Sequence, residues 1–137
     1  MILHFAYGSN MSRVHMQRRC PSAKAIGLAR LDGWRYLIMS DGYASAAPSP
    51  GRTVHGVLWH LQPRDLAALN AYENLDQGVY VRRILPVRMG SQCKAALVYV
   101  GRSREPGRPV RGYRELVIAS AREWGLPEDY VRALYRC

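Results

Sequence analysis

The chain has 137 residues, 48% of them hydrophobic, and 20 Lys and Arg against 10 Asp and Glu give a net charge of +10. That length reads as one domain, 1–137, able to bury about two-thirds of its unfolded surface without disulfides or a metal, and the composition excludes a disordered chain. All the basic residues except Lys24 and Lys94 are Arg, spread along the chain, so the charge reads as a general bias rather than a nucleic-acid footprint.

Ile2 to Ala6 is an apolar run that reads as a buried strand, and it breaks at Gly8. Met11 to Arg19 has helical character and stops before Cys20-Pro21, because proline disfavours helix at the residue preceding it. Ala23 to Leu31 and Trp34 to Ser40 read as two strands split by Asp32-Gly33, a hairpin dipeptide. Asp41 to Gly51, with two Gly and two Pro, is expected to be a loop, and Thr53 to Leu61 a further strand. Pro63 suits the first position of a short helix carrying Leu66 and Leu69 inward and ending near Tyr72. Val79 to Val87 and Ala95 to Val100 complete the strands. A Pro/Gly/Arg loop, Arg102 to Arg111, precedes a helix from Tyr113 that stops at Gly125, and Pro127 starts a last one. Strands joined partly by hairpins and interleaved with helices argue for α+β with a mixed, curved sheet.

No apolar run approaches the roughly 20 residues of a membrane span. Met1 to Phe5 shows no basic leader, so no signal peptide is expected. Cys20, Cys93 and Cys137 fit neither a zinc spacing nor a disulfide framework, which reads as a reducing cytoplasm. His55 and His60 stand an odd number apart on one strand and face opposite sides. With His4 in the first strand and His15 in the first helix, each histidine reads as structural and no metal site is expected.

The chemistry concentrates in Tyr7-Gly8-Ser9-Asn10-Met11. A strand–Gly–helix turn points backbone N–H groups at one spot, where negative charge is favoured. Gly8 permits close approach, while Ser9 and Asn10 add side-chain donors and a helix cap. The turn alone also fits an ordinary connection or a phosphate site. Glu73 lies in a second Gly-containing segment, Tyr72 to Tyr80, at a helix-to-loop junction. The pattern leaves it open between an arginine-paired surface carboxylate and a partly desolvated acid/base. Tyr80, by its spacing from Glu73, and Tyr99 and Tyr113 are candidates to line a pocket, the last two reading equally well as core or rim aromatics.

Tyr7-Gly8-Ser9-Asn10-Met11, then Leu69-Asn70-Ala71-Tyr72-Glu73 running on to Gly78-Val79-Tyr80-Val81, resemble the signature of the gamma-glutamylcyclotransferase-like family. Arg52 to Trp59 and the region Tyr113 to Tyr130 extend the resemblance over nearly the whole chain in order. It implies a small mixed β-barrel flanked by helices, Glu73 as general acid/base and the Tyr7–Asn10 turn gripping a γ-glutamyl group through main-chain N–H groups. The implied reaction cyclises that group to 5-oxoproline and releases an amine. A small anionic substrate, no cofactor, no membrane or nucleic acid, and a monomer or homodimer are expected. The alternatives are non-catalytic ligand binding on the same fold, or a basic nucleic-acid-binding domain. Asn74 stands where the family usually has Gly, and as a residue that tolerates a left-handed backbone it keeps the turn. Tyr-Gly-Ser-Asn, rather than the Tyr-Gly-Ser-Leu of glutathione-specific relatives, puts γ-glutamyl amino acids or amines ahead of glutathione.

Overall fold

The computed structural model describes residues 2–73 and 78–137. The first strand, β1 (Ile2–Ala6), runs antiparallel to the later half of β3 (Ala44–Leu61), with Phe5 opposite Leu58. On its other side β3 pairs with β2 (Lys24–Ile38), which meets β4 (Tyr80–Met89). β4 forms a long hairpin with β5 (Gln92–Gly101), and β5 returns parallel to β1 at the pair His4 and Leu97. The five strands thereby close into a barrel.

Period-two alternation divides the side chains between the two faces of this barrel. Phe5, Leu31, Val54, Leu58, Val87 and Val98 fill its interior and are fully buried. Each such side chain withdrawn from water contributes about 1.5–3 kcal/mol. Gly56 sits inside against the Phe5 ring, where an added Cβ would lie 2.2 Å from the Ala6 carbonyl oxygen and 3.0 Å from the Phe5 ring. Close approach of β1 to β3 therefore requires glycine there.

Helices cover the opposite face. Arg13–Arg19 forms α1, Pro63–Tyr72 α2, Tyr113–Trp124 α3 and Glu128–Leu134 α4. Trp59 and Leu61 of β3 pack with Met16, Leu69, Val117, Ile118 and Val131 in a second buried cluster. α2 starts at Pro63 as expected, with the Gln62 N–H bound to the Asp65 carboxylate at 2.8 Å. α3 ends at Gly125, whose φ of +76° is the left-handed stop the sequence indicates.

Three expectations are corrected. Asp32-Gly33 is not a hairpin: β2 runs straight through it, with Gly33 at φ +84° beside a register irregularity between Asp32 and Trp34. An Asp-Gly step supplies the same positive φ to a bulge as to a turn, and the strand pairing decides between them. The reversal instead lies at Met39–Tyr43, where Gly42 has φ +93° and the Met39 N–H reaches the Tyr43 carbonyl at 2.8 Å. The stretch 44–51 is accordingly strand, with Ala44, Ser45, Ala46 and Ala47 buried. The first helix begins at Arg13, capped by Ser12, after a 3-10 turn over Ser9–Met11. The expectation for Asn74 lies outside the described residues.

Candidate active site

At one end of the barrel, β1 runs out into the Gly8 turn beside the C-terminus of α2 and the tip of the β2–β3 hairpin. A cleft of about 300 Å³ opens there. Every residue singled out in the sequence lines it: Tyr7, Gly8, Ser9, Asn10, Glu73, Tyr80, Tyr99 and Tyr113. Long-range folding brings α2, β4, β5 and α3 to the turn after β1.

Ser9 and Asn10 are buried. Asn10 does not cap a helix: its Nδ2 donates to Glu73 Oε1 at 3.2 Å, joining the turn to the carboxylate. Gly8 is needed for space rather than for its backbone angle, since its φ is −116°. A Cβ there would stand 2.8 Å from the Tyr113 hydroxyl and 3.4 Å from Ala44 Cβ.

Glu73 caps the C-terminus of α2, and its N–H bonds to the Leu69 carbonyl at 2.8 Å. Its carboxyl is turned into the cleft wall rather than into solvent. Burial pushes its pKa up from 4.5 to about 7, partly opposed by the Arg19 guanidinium and the Asn10 hydrogen bond. A carboxyl that ionises near neutrality both accepts and returns a proton readily. The surface ion pair left open by the sequence is therefore not what forms.

The tyrosines hold the cleft in shape. Tyr7 donates to the Tyr99 carbonyl at 2.5 Å, Tyr99 to Asn70 Oδ1 at 2.6 Å and Tyr80 to the Ala44 carbonyl at 2.7 Å. Tyr113 Oη accepts the Ala44 N–H at 3.3 Å. Burial raises the pKa of all four, so they stay as neutral hydroxyls.

Among the lining residues that sequence reasoning missed, four carry polar side chains, His4, Asp41, Tyr43 and Tyr72, and it also missed Arg19 behind the wall. His4 is not fully satisfied. Its Nδ1 meets the Leu97 carbonyl at 3.2 Å, while Nε2 is buried without a partner among the described residues. Burial holds its pKa down at about 4, so the ring is neutral. Tyr43 packs edge-on against Tyr113 with ring centroids 5.3 Å apart. Arg19 donates to Ser9 Oγ at 3.2 Å, to Asn10 Oδ1, and to the Tyr72 hydroxyl at 2.5 Å. One arginine among so many carries no signal in the sequence. The one available hint is its place in the last turn of a helix that starts beside the Gly8 turn.

The loop Arg102 to Arg111 is tied down through its main chain. Gly107 N–H bonds to the Ile38 carbonyl and Val110 N–H to the Gly42 carbonyl, each at 3.0 Å, strapping the loop to the hairpin tip. Its four arginines are exposed, and none lines the cleft. No helix of the described residues is long and apolar enough to cross a membrane.

The family described as gamma-glutamyl cyclotransferase, AIG2-like, matches residues 4–124. Mouse and human proteins named gamma-glutamylcyclotransferase are each 29% identical over 148 aligned residues, covering 96% of this chain and 76% of theirs. A solved structure named gamma-glutamyl cyclotransferase has a TM-score of 0.91 at 28% identity, covering 98% of this chain and 86% of the other. YkqA from Bacillus subtilis, at 21% identity, shares the fold with a TM-score of 0.80, covering 98% of this chain and 53% of its own. The chain belongs to the gamma-glutamyl cyclotransferase, AIG2-like family.

Proposed function

We propose that this protein cyclises the γ-glutamyl group of a γ-glutamyl amino acid or amine to 5-oxoproline and releases the amine. The observation that carries the reading is Glu73: a carboxyl with a pKa near 7, bonded to Asn10 of the Gly8 turn, in the wall of the cleft.

In a γ-glutamyl compound the nucleophile is already tethered. The substrate's α-amine attacks its own γ-carbonyl carbon, a five-membered lactam closes, and the bond to the leaving nitrogen breaks. Holding the chain in an attacking fold is worth up to about 7–11 kcal/mol in favourable intramolecular cases. Two protons must pass from the attacking to the leaving nitrogen. Ionised Glu73 takes one from the α-ammonium to free the nucleophile and gives it to the departing nitrogen as the C–N bond breaks. It then takes the second from the new lactam nitrogen and passes it to the released amine, which leaves as an ammonium. Glu73 ends ionised as it began, and nothing is oxidised or reduced. Gly8, Ser9 and Asn10 form the cradle for the γ-glutamyl group, and Gly8 lets the ligand approach the main chain without a Cβ in the way. The neutral Tyr113 hydroxyl, which accepts the Ala44 N–H and keeps its own proton to give, offers a donor to the oxyanion that develops at the γ-carbon, where donors fixed in advance act most strongly.

The test is a panel of γ-glutamyl amino acids, γ-glutamyl amines and glutathione, read by 5-oxoproline release. Release from amino acid or amine conjugates ahead of glutathione is the expected result. Binding of 5-oxoproline with no turnover of any conjugate would make the protein a ligand-binding relative instead.

A further inference from the structure

Arg19 sits where the cradle and the acid/base meet, yet it is not among the residues that line the cleft. It ends α1 half-buried. One edge of its guanidinium donates to Ser9 Oγ and Asn10 Oδ1, the other to the Tyr72 hydroxyl. The guanidinium carbon lies 3.5 Å from the centroid of the Tyr72 ring. Tyr72 immediately precedes Glu73, and Asn10 turns its other amide atom to the Glu73 carboxylate. A single planar fork thus spans both halves of the site.

We infer that Arg19 is a positioning residue of the reaction: its guanidinium fixes Ser9 and Asn10 against the end of α2 and supplies the positive charge that the Glu73 carboxylate meets. This rests on the reading of Glu73 as the acid/base. Arginine suits the task where lysine does not, because the fork presents several donors in one plane and stacks on an aromatic face. An ammonium would keep the charge and lose the geometry.

The surroundings of Glu73 single out that charge. The Asn10 amide and Tyr7 face it from the turn after β1, and Tyr80, Tyr99 and Tyr113 interact with it from β4, β5 and α3. All four tyrosines are neutral. Asp41 of the hairpin tip lines the same cleft and carries a negative charge. Among the described residues, Arg19 is the cation that opposes the effect of burial on Glu73. The sign follows. Without Arg19 burial acts with less opposition, the carboxyl holds its proton to higher pH, and ionised base becomes scarce at neutrality but returns in alkali.

The experiment follows the Glu73 carboxyl by carbon-13 NMR titration in the ligand-free wild type, Arg19→Gln and Arg19→Lys. The pH profile of 5-oxoproline release is recorded for each. Arg19→Gln should move the midpoint and the acid limb of kcat/KM upward together by about one pH unit or more, the low end of what a neighbouring charge does. Its activity should recover in part at high pH. Arg19→Lys should keep the midpoint within a few tenths of a unit but lower kcat several-fold, with no recovery in alkali. A folded Arg19→Gln whose Glu73 titrates as in the wild type overturns the inference. So does a uniform loss of activity at every pH. Should Arg19→Gln not fold, Arg19→Lys and Tyr72→Phe decide, since wild-type kcat in both would dismiss the fork. Failure of the wild type to release 5-oxoproline would sink the proposed reaction, while the titration would still report on Arg19.

Discussion

The two walls of the cleft are built differently. On one side stand β1, the Gly8 turn and the end of α2, with Tyr7, Ser9 and Asn10 buried and tied by hydrogen bonds to Tyr99, Arg19 and Glu73. On the other stands the hairpin tip, where Asp41 is exposed and Tyr43 keeps 43% of its surface in solvent. The strap loop behind the tip is bonded through its main chain and leaves its arginines in water. A reacting group must be held within fractions of an ångström, whereas a leaving group need only fit. The fixed wall is suited to the chemistry common to all γ-glutamyl compounds and the open wall to what differs between them.

The fixed wall breaks most completely at Glu73. Glu73→Gln keeps the size and the Asn10 hydrogen bond but cannot carry a proton, so turnover should fall by at least ~10²–10⁴-fold with 5-oxoproline binding retained. Near wild-type turnover would remove Glu73 from the mechanism. Stability supplies an independent check. The folded pKa of about 7 lies above the ordinary 4.5, so the native state holds the proton more tightly and wild-type stability falls as pH rises through that window. Allowing for residual solvent contact, the loss is about 2 kcal/mol. Denaturant unfolding should show Glu73→Gln free of that loss above pH 7.

A lesser effect is expected at Gly8. Gly8→Val drives side-chain atoms toward the Tyr113 hydroxyl and Ala44 and should weaken 5-oxoproline binding about tenfold or more, which is about 1.4 kcal/mol. Ser9→Ala removes one acceptor of Arg19 and should cost only a few-fold. Equal losses in the two folded variants would mean that side chains, not the main chain, recognise the ligand.

How much of this was written in the sequence depends on the range of the interaction. The break at Gly8, the helix from Pro63 and the stop at Gly125 follow from local backbone chemistry and stand where expected. Glu73 at a helix end and Tyr80 seven residues on were legible for the same reason. Asp32-Gly33 misled because a positive φ serves a bulge as well as a turn, and the register of fifteen-residue β2 against β3 is set by distant pairs. Closure of the barrel rests on the single β1–β5 bridge pair His4–Leu97, which no pattern announces. The contact of Arg19 with Tyr72 spans 53 positions, and nothing local distinguishes this arginine from the others.

His4 sharpens the picture of the fixed wall from its floor. Its folded pKa of about 4 lies below the ordinary 6.5, so the unfolded chain takes up the proton first. Stability is complete above 6.5 and is lost as pH falls toward 4, by up to about 3 kcal/mol. Glu73 acts in the opposite sense between 4.5 and 6.5, so the wild type should show a shallow profile there. His4→Phe should lose a roughly constant amount at neutral pH, from the missing bond to Leu97, and then, with the Glu73 contribution no longer opposed, gain stability as pH falls from 6.5 to 4.5. An acid slope in His4→Phe equal to that of the wild type would show that the imidazole is not held neutral.

The smallest effect is expected on the open wall. Arg104, Arg108 and Arg111 are exposed, outside the cleft, and borne on a loop whose main chain is strapped to the hairpin tip. They can act on an anionic substrate only through their field, which salt screens over about 10 Å at ~0.1 M. Replacing all three with Gln should therefore leave kcat unchanged and lower kcat/KM by no more than a few-fold at low ionic strength, with the difference gone in high salt. A fall in kcat would mean that the loop shapes the cleft through its side chains and that the open wall is less separate than its bonding suggests. Oligonucleotide binding by the wild type, with a steep salt dependence that the replacements flatten, would assign these arginines to a nucleic-acid partner. If kcat/KM is the same at every ionic strength and no oligonucleotide binds, the strap loop serves only to hold the hairpin tip in place, and the +10 charge has no part in substrate capture.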